Sequence, residues 1–363
     1  MEQKKDIKEP KAKKLADPVA ATIDPASQQM IERAHELGIE TAFDRAVAMK
    51  PCNIGTQGIC CKNCGMGPCR LPLPKGGIEG EDTRKGICGA TPNTIAARNF
   101  IRMIAGGAAA HSDHGRSVAE VYMSAARKET DAYKIKDTRK LVEVAQWLGV
   151  DTTVEVNGEQ LDRDLDEVAV EVGEKALNEW GKAEGELLFA KRAPQPRYDL
   201  WKKRGVVPRN IDREIVEIMH RTHIGVDQDY KNLMKQGTRA AIADGWGGSM
   251  LATELQDIMF GTPYPLASEA NLGVMKEDMV NIVIHGHEPV LSEMIIAVAQ
   301  TPKMEDYAKS KGAKGIQLSG ICCTANEILQ RHGVPLCGTF LQQELAIITG
   351  ACDAMVVDIQ CIF

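Results

Sequence analysis

Six cysteines lie close together near the start of the chain, and they restrict what this region can fold into. They are Cys52, Cys60, Cys61, Cys64, Cys69 and Cys88. The segment 51–90 that carries them is rich in glycine and proline and shows no hydrophobic period, so it has no core of its own. Such a segment needs an external organiser, and bound metal is the usual one.

The last four cysteines have the spacing C-x2-C-x4-C-x18-C. A tight loop with three thiolates and a distant fourth provides the ligands of one [4Fe–4S] cluster. Gly65, Gly67 and Pro68 lie between these ligands, and glycines allow backbone amides to approach cluster sulfurs. A structural zinc site is the alternative, although zinc usually takes two closely spaced cysteine pairs and this array contains one.

Cys52 and Cys60 are left over from this set. Two thiolates make half of the ligand set of a cubane cluster. In a symmetric homodimer each residue near the two-fold axis is present twice, so the pair predicts a cluster shared between two protomers. The alternative is that one of the two is a spare thiol.

The composition is that of a globular protein. The chain has 363 residues, 44% hydrophobic and 26% charged, which suffices for two domains. A secretory signal and an apolar run long enough to span a membrane are both absent from the sequence, which predicts a cytoplasmic protein whose cysteines are not disulfides. The net charge of −6 argues against a nucleic-acid partner. Residues 1–20 are polar and lysine-rich and predict a disordered charged arm.

The hydrophobic pattern predicts a multidomain α and α/β protein. Residues 21–262 form a predicted helical domain that carries the cluster-binding loop 51–90, and Thr91-Pro92 is a typical helix start. Apolar residues at helical spacing predict helices over 28–37, 40–49, 91–110, 211–223 and 229–244, with a pair of helices over 161–188. The glycine-rich stretch 244–249 is predicted to interrupt the helices, and 261–265 to form the domain boundary.

Residues 263–363 are predicted to form an incomplete Rossmann-like parallel α/β domain, because strands and helices alternate there. The predicted strands cover 281–284, 315–321 and 354–359, and the predicted helices 290–300, 325–332 and 341–349.

Potential metal ligands follow each of these three strands. His285 and His287 come after the first, Cys322 and Cys323 after the second, and Cys361 after the third. Ligands of parallel sheets bind at the carboxyl ends of strands, and a mixed Cys/His set suits iron, nickel or zinc. Taken singly, each residue is more often a packing or hydrogen-bonding residue. The pattern alone does not decide between neighbouring histidines or neighbouring cysteines.

Three further residues are candidates for proton transfer. His111 and His114 have the i, i+3 spacing of one helical face, where imidazoles can relay protons near neutral pH. Asp244 in the glycine-rich stretch is a candidate acid–base group. The alternatives are a polar patch for the histidines and a helix or turn cap for the aspartate.

The sequence resembles the nickel-dependent carbon monoxide dehydrogenases of anaerobes. The resemblance covers most of 51–120 and 220–361 and little of 130–210. The strings that carry it are PCNIGTQGICCKNCGMGPCR, GICGAT, AAAHSDHGR, THIGVD, DGWGGSMLATELQDIMFGTP, VNIVIHGHEPVLSEM, GICCTANEILQRHGVPL and QELAIITGACDAMVVDIQC.

The resemblance implies a role for each group of residues. A [4Fe–4S] electron-relay cluster is implied at Cys61, Cys64, Cys69 and Cys88, and a cluster shared across the dimer at Cys52 and Cys60. Three ligands of a nickel–iron–sulfur active cluster are implied at His287, Cys323 and Cys361. His111 matches the family's acid–base histidine, and Asp244 its acidic partner.

The implied reaction converts CO and water into CO2, two protons and two electrons, which pass through the clusters to an acceptor such as ferredoxin. In acetyl-CoA-forming relatives, CO passes instead to an acetyl-CoA synthase subunit. Ser117 and Glu120 stand where the family would provide further histidines. The family also continues beyond Phe363 with a domain that holds the remaining cysteines and a lysine, so we expect this chain to be truncated and inactive alone.

Two other functions remain as alternatives. One is a hybrid-cluster hydroxylamine reductase, a distant relative with an N-terminal cluster and a mixed active cluster. The other is a non-catalytic iron–sulfur electron-transfer module that keeps only the first clusters.

Overall fold

The structure is a computed structural model that describes residues 17–80 and 82–362. Contacts between residues divide the chain into two compact units. The first contains residues 51–255, and the second contains 17–50 together with 256–362. Most of the predicted arm, residues 1–16, lies outside the described residues. Across the described ranges, no helix has the length and apolar character needed to cross a membrane.

The helices and strands are as follows. The helices are α1 (Pro25–Glu36), α2 (Ala42–Ala48), α3 (Asn53–Thr56), α4 (Pro92–Ala126), α5 (Thr138–Leu148), α6 (Leu165–Gly181), α7 (Gln195–Arg204), α8 (Ile211–Arg221), α9 (Tyr230–Ile242), α10 (Met250–Phe260), α11 (Pro289–Ala299), α12 (Pro302–Ser310), α13 (Cys322–His332) and α14 (Gln343–Ile348). The strands are β1 (Cys60–Cys61), β2 (Cys69–Arg70), β3 (Thr153–Val156), β4 (Glu159–Asp162), β5 (Val280–His285), β6 (Ile316–Ile321), β7 (Leu336–Gly338) and β8 (Ala354–Val357).

The unit 51–255 is built around the 35-residue helix α4. Thr91 caps its first turn by accepting a hydrogen bond from the backbone N–H of Thr94, and Pro92 follows, as predicted. Helices α6, α8 and α9 pack against α4. Gly115 of α4 sits directly against Gly248, so that a Cβ at position 115 would overlap the Gly248 carbonyl oxygen. Small residues therefore allow two backbones of this unit to touch.

The glycine-rich stretch does not interrupt the helices, contrary to the prediction. Ala243–Ser249 forms a π-helical segment that continues α9 directly into α10. Its glycines lack the side chains that would crowd such close packing. Short π-helical segments occur frequently at functional sites.

The α/β unit contains a four-stranded parallel sheet with the order β7-β6-β5-β8. This confirms the predicted parallel sheet of the fold class. Buried Val283, Ile284 and Ile321 form part of its core. Because the strands are parallel, the carboxyl ends of β5, β6 and β8 lie at the same edge of the sheet.

Helices α1 and α2 belong to this α/β unit, whereas the prediction placed residues 21–50 in the helical domain. Ile31, Ala34 and Phe43 share one hydrophobic core with Leu345. The Nε–H of Arg33 donates to the carbonyl oxygen of Ile348 at 3.1 Å. A hydrophobic period identifies the buried face of a helix, but it does not identify the partner of that face.

Other boundaries also differ from the prediction. The region 161–188 holds the single helix α6 rather than a pair, preceded by the hairpin of β3 and β4 around Asn157-Gly158, a favoured hairpin turn. The prediction also omitted α12 and β7. Along the chain, the boundary between the two units falls between residues 255 and 256, inside α10, rather than at 261–265.

Candidate metal centres

The first candidate metal centre contains Cys61, Cys64, Cys69 and Cys88, and a short antiparallel hairpin carries the first three of them. Strands β1 and β2 pair so that Cys61 and Cys69 face each other, and Cys64 lies in the turn between them. In that turn a Cβ at Gly67 would come within 3.0 Å of the carbonyl oxygen of Cys61. Any side chain at this position would press against that carbonyl group, so the glycine favours the tight fold of the chain around the three thiols.

Cys88 reaches the same place from a separate loop. A Cβ at Gly86 would lie 3.3 Å from the Cβ of Cys69, so the two segments are in close contact. The amide of Gln228 donates to the carbonyl oxygen of Cys88 at 2.8 Å, and a Cβ at Gly225 would lie 3.1 Å from the Cβ of Cys88. A loop far along the chain therefore fixes the fourth cysteine.

The four thiols of Cys61, Cys64, Cys69 and Cys88 line one cavity. All four are free thiols, and Cys61 is buried. They lie around the same cavity, and in the described part of the chain no group of three or more Cys, His, Asp or Glu side chains is arranged to hold a single metal ion. A glycine-walled cradle that presents four soft donors fits a [4Fe–4S] cluster.

The electrostatics of this cavity favour a thiolate. Burial raises the pKa of the Cys88 thiol, but hydrogen bonds from Arg98, the backbone N–H of Ala90 and Gln228 outweigh burial, so the pKa lies below its ordinary value. The Arg98 Nη1–H donates to the Cys88 Sγ at 3.5 Å. Since the thiolate is the form that binds metal, this arrangement prepares Cys88 as a ligand.

Cys52 and Cys60 do not line the cavity of the four thiols. Cys52 is exposed and caps the short helix α3, where backbone N–H groups of Gly55 and Ile54 lower the pKa of its thiol. Cys60 is half-buried, and its carbonyl oxygen accepts a hydrogen bond from the Asn99 amide at 3.1 Å. The six cysteines thus separate into four and two.

The second site lies in the α/β unit at the carboxyl ends of its strands. The Nε2 atom of His287 is 3.7 Å from the Sγ of Cys361. Cys322 occupies the turn from β6 into α13 with φ of 67°, a left-handed conformation that costs a non-glycine residue energy. Burial and the neighbouring Cys361 and Cys323 thiols raise the pKa of Cys322 to about 12.

Cys323 belongs to the same group of thiols. Desolvation, together with the negative charges of Cys361, Glu327 and Asp358, raises the pKa of the Cys323 thiol. Mutual repulsion between thiolates is relieved when a cation binds between them. The donor set His287, Cys323 and Cys361 therefore suits a positively charged iron- or nickel-containing group.

Asp358 connects the strand ends, and the sequence analysis missed it. Its carboxylate accepts hydrogen bonds from the backbone N–H of His287 at 2.6 Å, the N–H of Glu288 at 3.1 Å and the hydroxyl of Thr324 at 3.1 Å. Gly286 has φ of 138°, and a Cβ there would overlap this carboxylate. The glycine between the two histidines was the available signal, because it marks a backbone position that another group approaches closely.

His285 has a different role from His287. It is fully buried, and its Nε2 atom lies 3.2 Å from the Gln343 side-chain oxygen and 3.1 Å from the carbonyl oxygen of Cys361, two acceptors to which a protonated Nε2 donates. The Gln343 amide also donates to that carbonyl at 3.0 Å. His285 therefore holds the Cys361 backbone, while the ring of His287 faces the Cys361 thiol.

His111 and Asp244 form an ion pair within the unit 51–255. The His111 Nδ1 atom lies 2.7 Å from the Asp244 Oδ1 atom, and both side chains are partly exposed. The hydrogen bond to Asp244 outweighs burial and raises the pKa of His111 above its ordinary 6.5. His114, one turn further along α4, is buried. The π-helical segment thus supplies the carboxylate that orients this imidazole.

The model of the Prismane/CO dehydrogenase family matches residues 59–363. The chain belongs to this family. Its fold agrees with that assignment, since a structure of an acetyl-CoA synthase/carbon monoxide dehydrogenase with NiZn[Fe4S4] and NiNi[Fe4S4] clusters superimposes with a TM-score of 0.86 at 43% identity, over 98% of this chain and 51% of that one.

Two further members of the family are similar in sequence. Carbon monoxide dehydrogenase 1 of Methanosarcina acetivorans is 53% identical over 343 residues, which cover 94% of this chain and 52% of the relative. A Ni-free crystal structure of the carbon monoxide dehydrogenase from Thermococcus sp. AM4 gives a TM-score of 0.84 at 49% identity, over 94% and 54% of the two chains. The chain spans about half the length of these relatives.

Proposed function

We propose that this protein binds iron–sulfur clusters and takes part in the reversible oxidation of CO with water to CO2, two protons and two electrons. The observation that carries the proposal is the convergence of Cys61, Cys64, Cys69 and Cys88 on one cavity. Electrons would pass through a [4Fe–4S] cluster held by these thiols to a carrier such as ferredoxin in the cytoplasm. The 53% identity to a carbon monoxide dehydrogenase supports the choice of reaction.

The second site is proposed to contribute ligands to the active group. His287, Cys323 and Cys361 would hold a nickel–iron–sulfur cluster, which when bound supplies a binding position for CO and acidifies water. Asp358 fixes the His287 backbone, so the imidazole stays beside the Cys361 thiol. Similarity to an acetyl-CoA synthase/carbon monoxide dehydrogenase supports an acetyl-CoA synthase subunit as a further partner.

His111 is proposed to accept the protons that the reaction releases. Asp244 accepts the hydrogen bond from its Nδ1–H, which leaves Nε2 as the basic atom of the neutral ring. The carboxylate stabilises the imidazolium that forms when Nε2 takes a proton, since opposite charges 2.7 Å apart attract. His114, on the same helix, is the proposed next group in the relay.

Cys52 and Cys60 are proposed to bind a second cluster together with the same pair of a partner protomer. Their exclusion from the four-thiol cavity supports this division of the cysteines. The exposure of Cys52 supports a site at the protein surface, where a symmetric partner could complete the ligand set.

The test uses the full chain isolated without oxygen. Iron, acid-labile sulfide and nickel are measured, with the visible absorption, in the original chain, in Cys64→Ser and in the control Cys352→Ser. We expect iron and sulfide in near-equal amounts, and a marked loss of both in Cys64→Ser alone. Zinc without iron would contradict the proposal.

Turnover separates the candidate reactions. Reduction of a viologen dye that depends on CO supports the proposed reaction, whereas reduction of hydroxylamine without CO oxidation would assign the chain to the hybrid-cluster type. Clusters without either activity would restrict the function of this chain to electron transfer.

A further inference from the structure

Arg98 of α4 is a buried cation in contact with the four-thiol site. Its side chain is 1% exposed and lines the cavity. The Nη1–H donates to the Sγ of Cys88 at 3.5 Å, and the Nη2–H donates to the backbone carbonyl oxygen of Asp227 at 2.6 Å. The guanidinium group is thus held at a fixed position beside one thiol.

Among the described residues, no carboxylate oxygen lies within 4.0 Å of a side-chain nitrogen of Arg98, so its charge has no carboxylate partner there. Asp227 offers only its carbonyl oxygen to Arg98, since its carboxylate is bound by Arg221 at 2.9 Å. The Arg98 Nε–H also lacks an acceptor among the described residues. By contrast, the buried Arg331 is paired with three carboxylates.

A buried guanidinium without a counter-charge is costly, because the protein interior solvates charge poorly. Thiolates around an iron–sulfur core carry a net negative charge, which grows by one electron on reduction. A fixed positive charge nearby stabilises the reduced form more than the oxidised form. Hydrogen bonds to cluster sulfurs act in the same direction.

We infer that Arg98 is a positioning residue of the four-thiol site, whose buried charge is balanced by an anionic cluster and raises the reduction potential of that cluster. The inference rests on the proposed [4Fe–4S] cluster. It assigns to Arg98 a role in electron transfer that the cysteine pattern does not contain.

The experiment is a redox titration of the full chain followed by electron paramagnetic resonance. The background variant Cys52→Ser, Cys361→Ser limits the signal to the four-thiol cluster. Arg98→Met removes the charge and the hydrogen bonds, and Arg98→Lys keeps the charge. Arg102→Met is the matched control, because Arg102 lies one turn further along α4 and donates to the Thr222 hydroxyl at 2.8 Å.

We expect Arg98→Met to lower the reduction potential, so that the ratio of reduced to oxidised cluster at a fixed potential falls about tenfold, or about 59 mV for one electron. The reduction potential of Arg98→Lys should lie between those of Arg98→Met and the background variant. The potential of Arg102→Met should equal that of the background variant. An Arg98→Met potential equal to that of Arg102→Met would overturn the inference.

The remaining outcomes are also decisive. Absence of iron in the background variant would refute the proposed cluster and not only the role of Arg98. If Arg98→Met loses iron, retention of iron by Arg98→Lys supports the need for the charge. If both Arg98 variants lose iron, an unchanged circular dichroism spectrum supports a role at the cluster, and loss of helicity overturns it.

Discussion

Asp358 and Asp244 each hold a histidine, but they act on different parts of it. Asp358 accepts a hydrogen bond from the backbone N–H of His287 and so fixes the position of this residue. Asp244 binds the ring of His111 and so changes its acidity. A carboxylate can therefore fix either the position or the protonation of an imidazole.

The first prediction concerns the protonation of His111. Because Asp244 raises its pKa above 6.5, the ion pair stabilises the folded chain below that pH, and this contribution is lost as the pH rises through the folded pKa. Asp244→Asn should lower the pKa of His111 toward 6.5, as measured by NMR of ring carbons. The control Asp113→Asn, an exposed partner of Arg116 on the same helix, should leave it nearly unchanged.

The second prediction concerns the contact between Gly286 and Asp358. Gly286→Ala should cost about 2–4 kcal/mol in urea unfolding, because the added Cβ displaces the carboxylate and strains the backbone. Gly312→Ala is the control: Gly312 has φ of 99° but nothing within 4 Å of a Cβ, so only strain of about 1 kcal/mol should appear. Equal losses in both variants would contradict the predicted clash.

The sequence predicted site residues correctly where residue type and spacing alone indicate a shared site. The spacing of Cys61, Cys64 and Cys69 sets them apart as a loop, and the structure brings them to one cavity with Cys88. Arg98 could not be found this way, because its role depends on partners distant in the sequence, and for Asp358 the only signal was the indirect one of Gly286. An arginine in a helix is usually a surface residue, and the pattern does not reveal its burial.

Helix α4 packs directly against the π-helical segment 243–249. The two segments are in close contact at Gly115 and Gly248. Three residues before Gly115, the carbonyl oxygen of Ser112 accepts a hydrogen bond from the Trp180 indole at 2.9 Å. This packing sets the separation between the segments that carry His111 and Asp244.

The third prediction tests that approach. Gly115→Ala should destabilise the chain by about 2–3 kcal/mol, because the new Cβ meets the Gly248 carbonyl oxygen. Gly106→Ala on the same helix has nothing within 4 Å and should be neutral or stabilising by roughly 0.5–1 kcal/mol. The measurement is thermal or urea unfolding, and a neutral Gly115→Ala would show that the helices can separate freely.

Helices α10, α11 and α13 are joined by a buried ionic group. Arg331 contacts Asp257 at 2.6 Å, Glu327 at 2.9 Å and Glu293 at 3.3 Å. Burial raises the pKa of Glu327, and the negative charges of Asp257 and Glu293 raise it further. Together they outweigh the attraction to Arg331, which lowers this pKa, so that it reaches about 7. Three acids around one base leave an excess of negative charge in this part of the α/β unit.

The fourth prediction follows from the raised pKa of Glu327. Between its unfolded pKa of 4.5 and its folded pKa of about 7, the folded chain binds more protons, so stability falls as the pH rises. Glu327→Gln removes this loss, so its stability relative to the original chain should increase by about 2–3 kcal/mol from about pH 5 to pH 8. The exposed control Glu277→Gln should show no such trend in urea unfolding.

Elements were predicted well where a local pattern determines them. The helix start at Thr91 and the strands β5, β6 and β8 follow from capping and apolar runs. The π-helical segment was missed because glycines ordinarily end helices, whereas here tertiary packing requires them, at Gly248 against α4 and at Gly247 against Ile211 of α8. Association of α1 with the α/β unit was missed because it depends on tertiary contacts.

The fifth prediction concerns the whole molecule as a dimer. If Cys52 and Cys60 share a cluster between protomers, Cys52→Ser should lower the iron content per chain while the spectrum of the four-thiol cluster persists. Light scattering should also show a weaker dimer, because the shared cluster links the protomers. Cys352→Ser should change neither quantity. Unchanged iron in Cys52→Ser would exclude a role for this thiol as a ligand.

The anchoring of Cys88 by Gln228 also affects how the protein is made. These residues are separated by 140 positions, which a ribosome adds in roughly 10–30 s. For an interval of that length, from the emergence of Cys88 from the exit tunnel to the emergence of Gln228, the four thiols of Cys61, Cys64, Cys69 and Cys88 lack the loop that holds Cys88. Newly made thiols are therefore open to oxidants and foreign metals first, and with the proposed cluster the delivery of iron and sulfide would follow translation of the unit or compete with that damage.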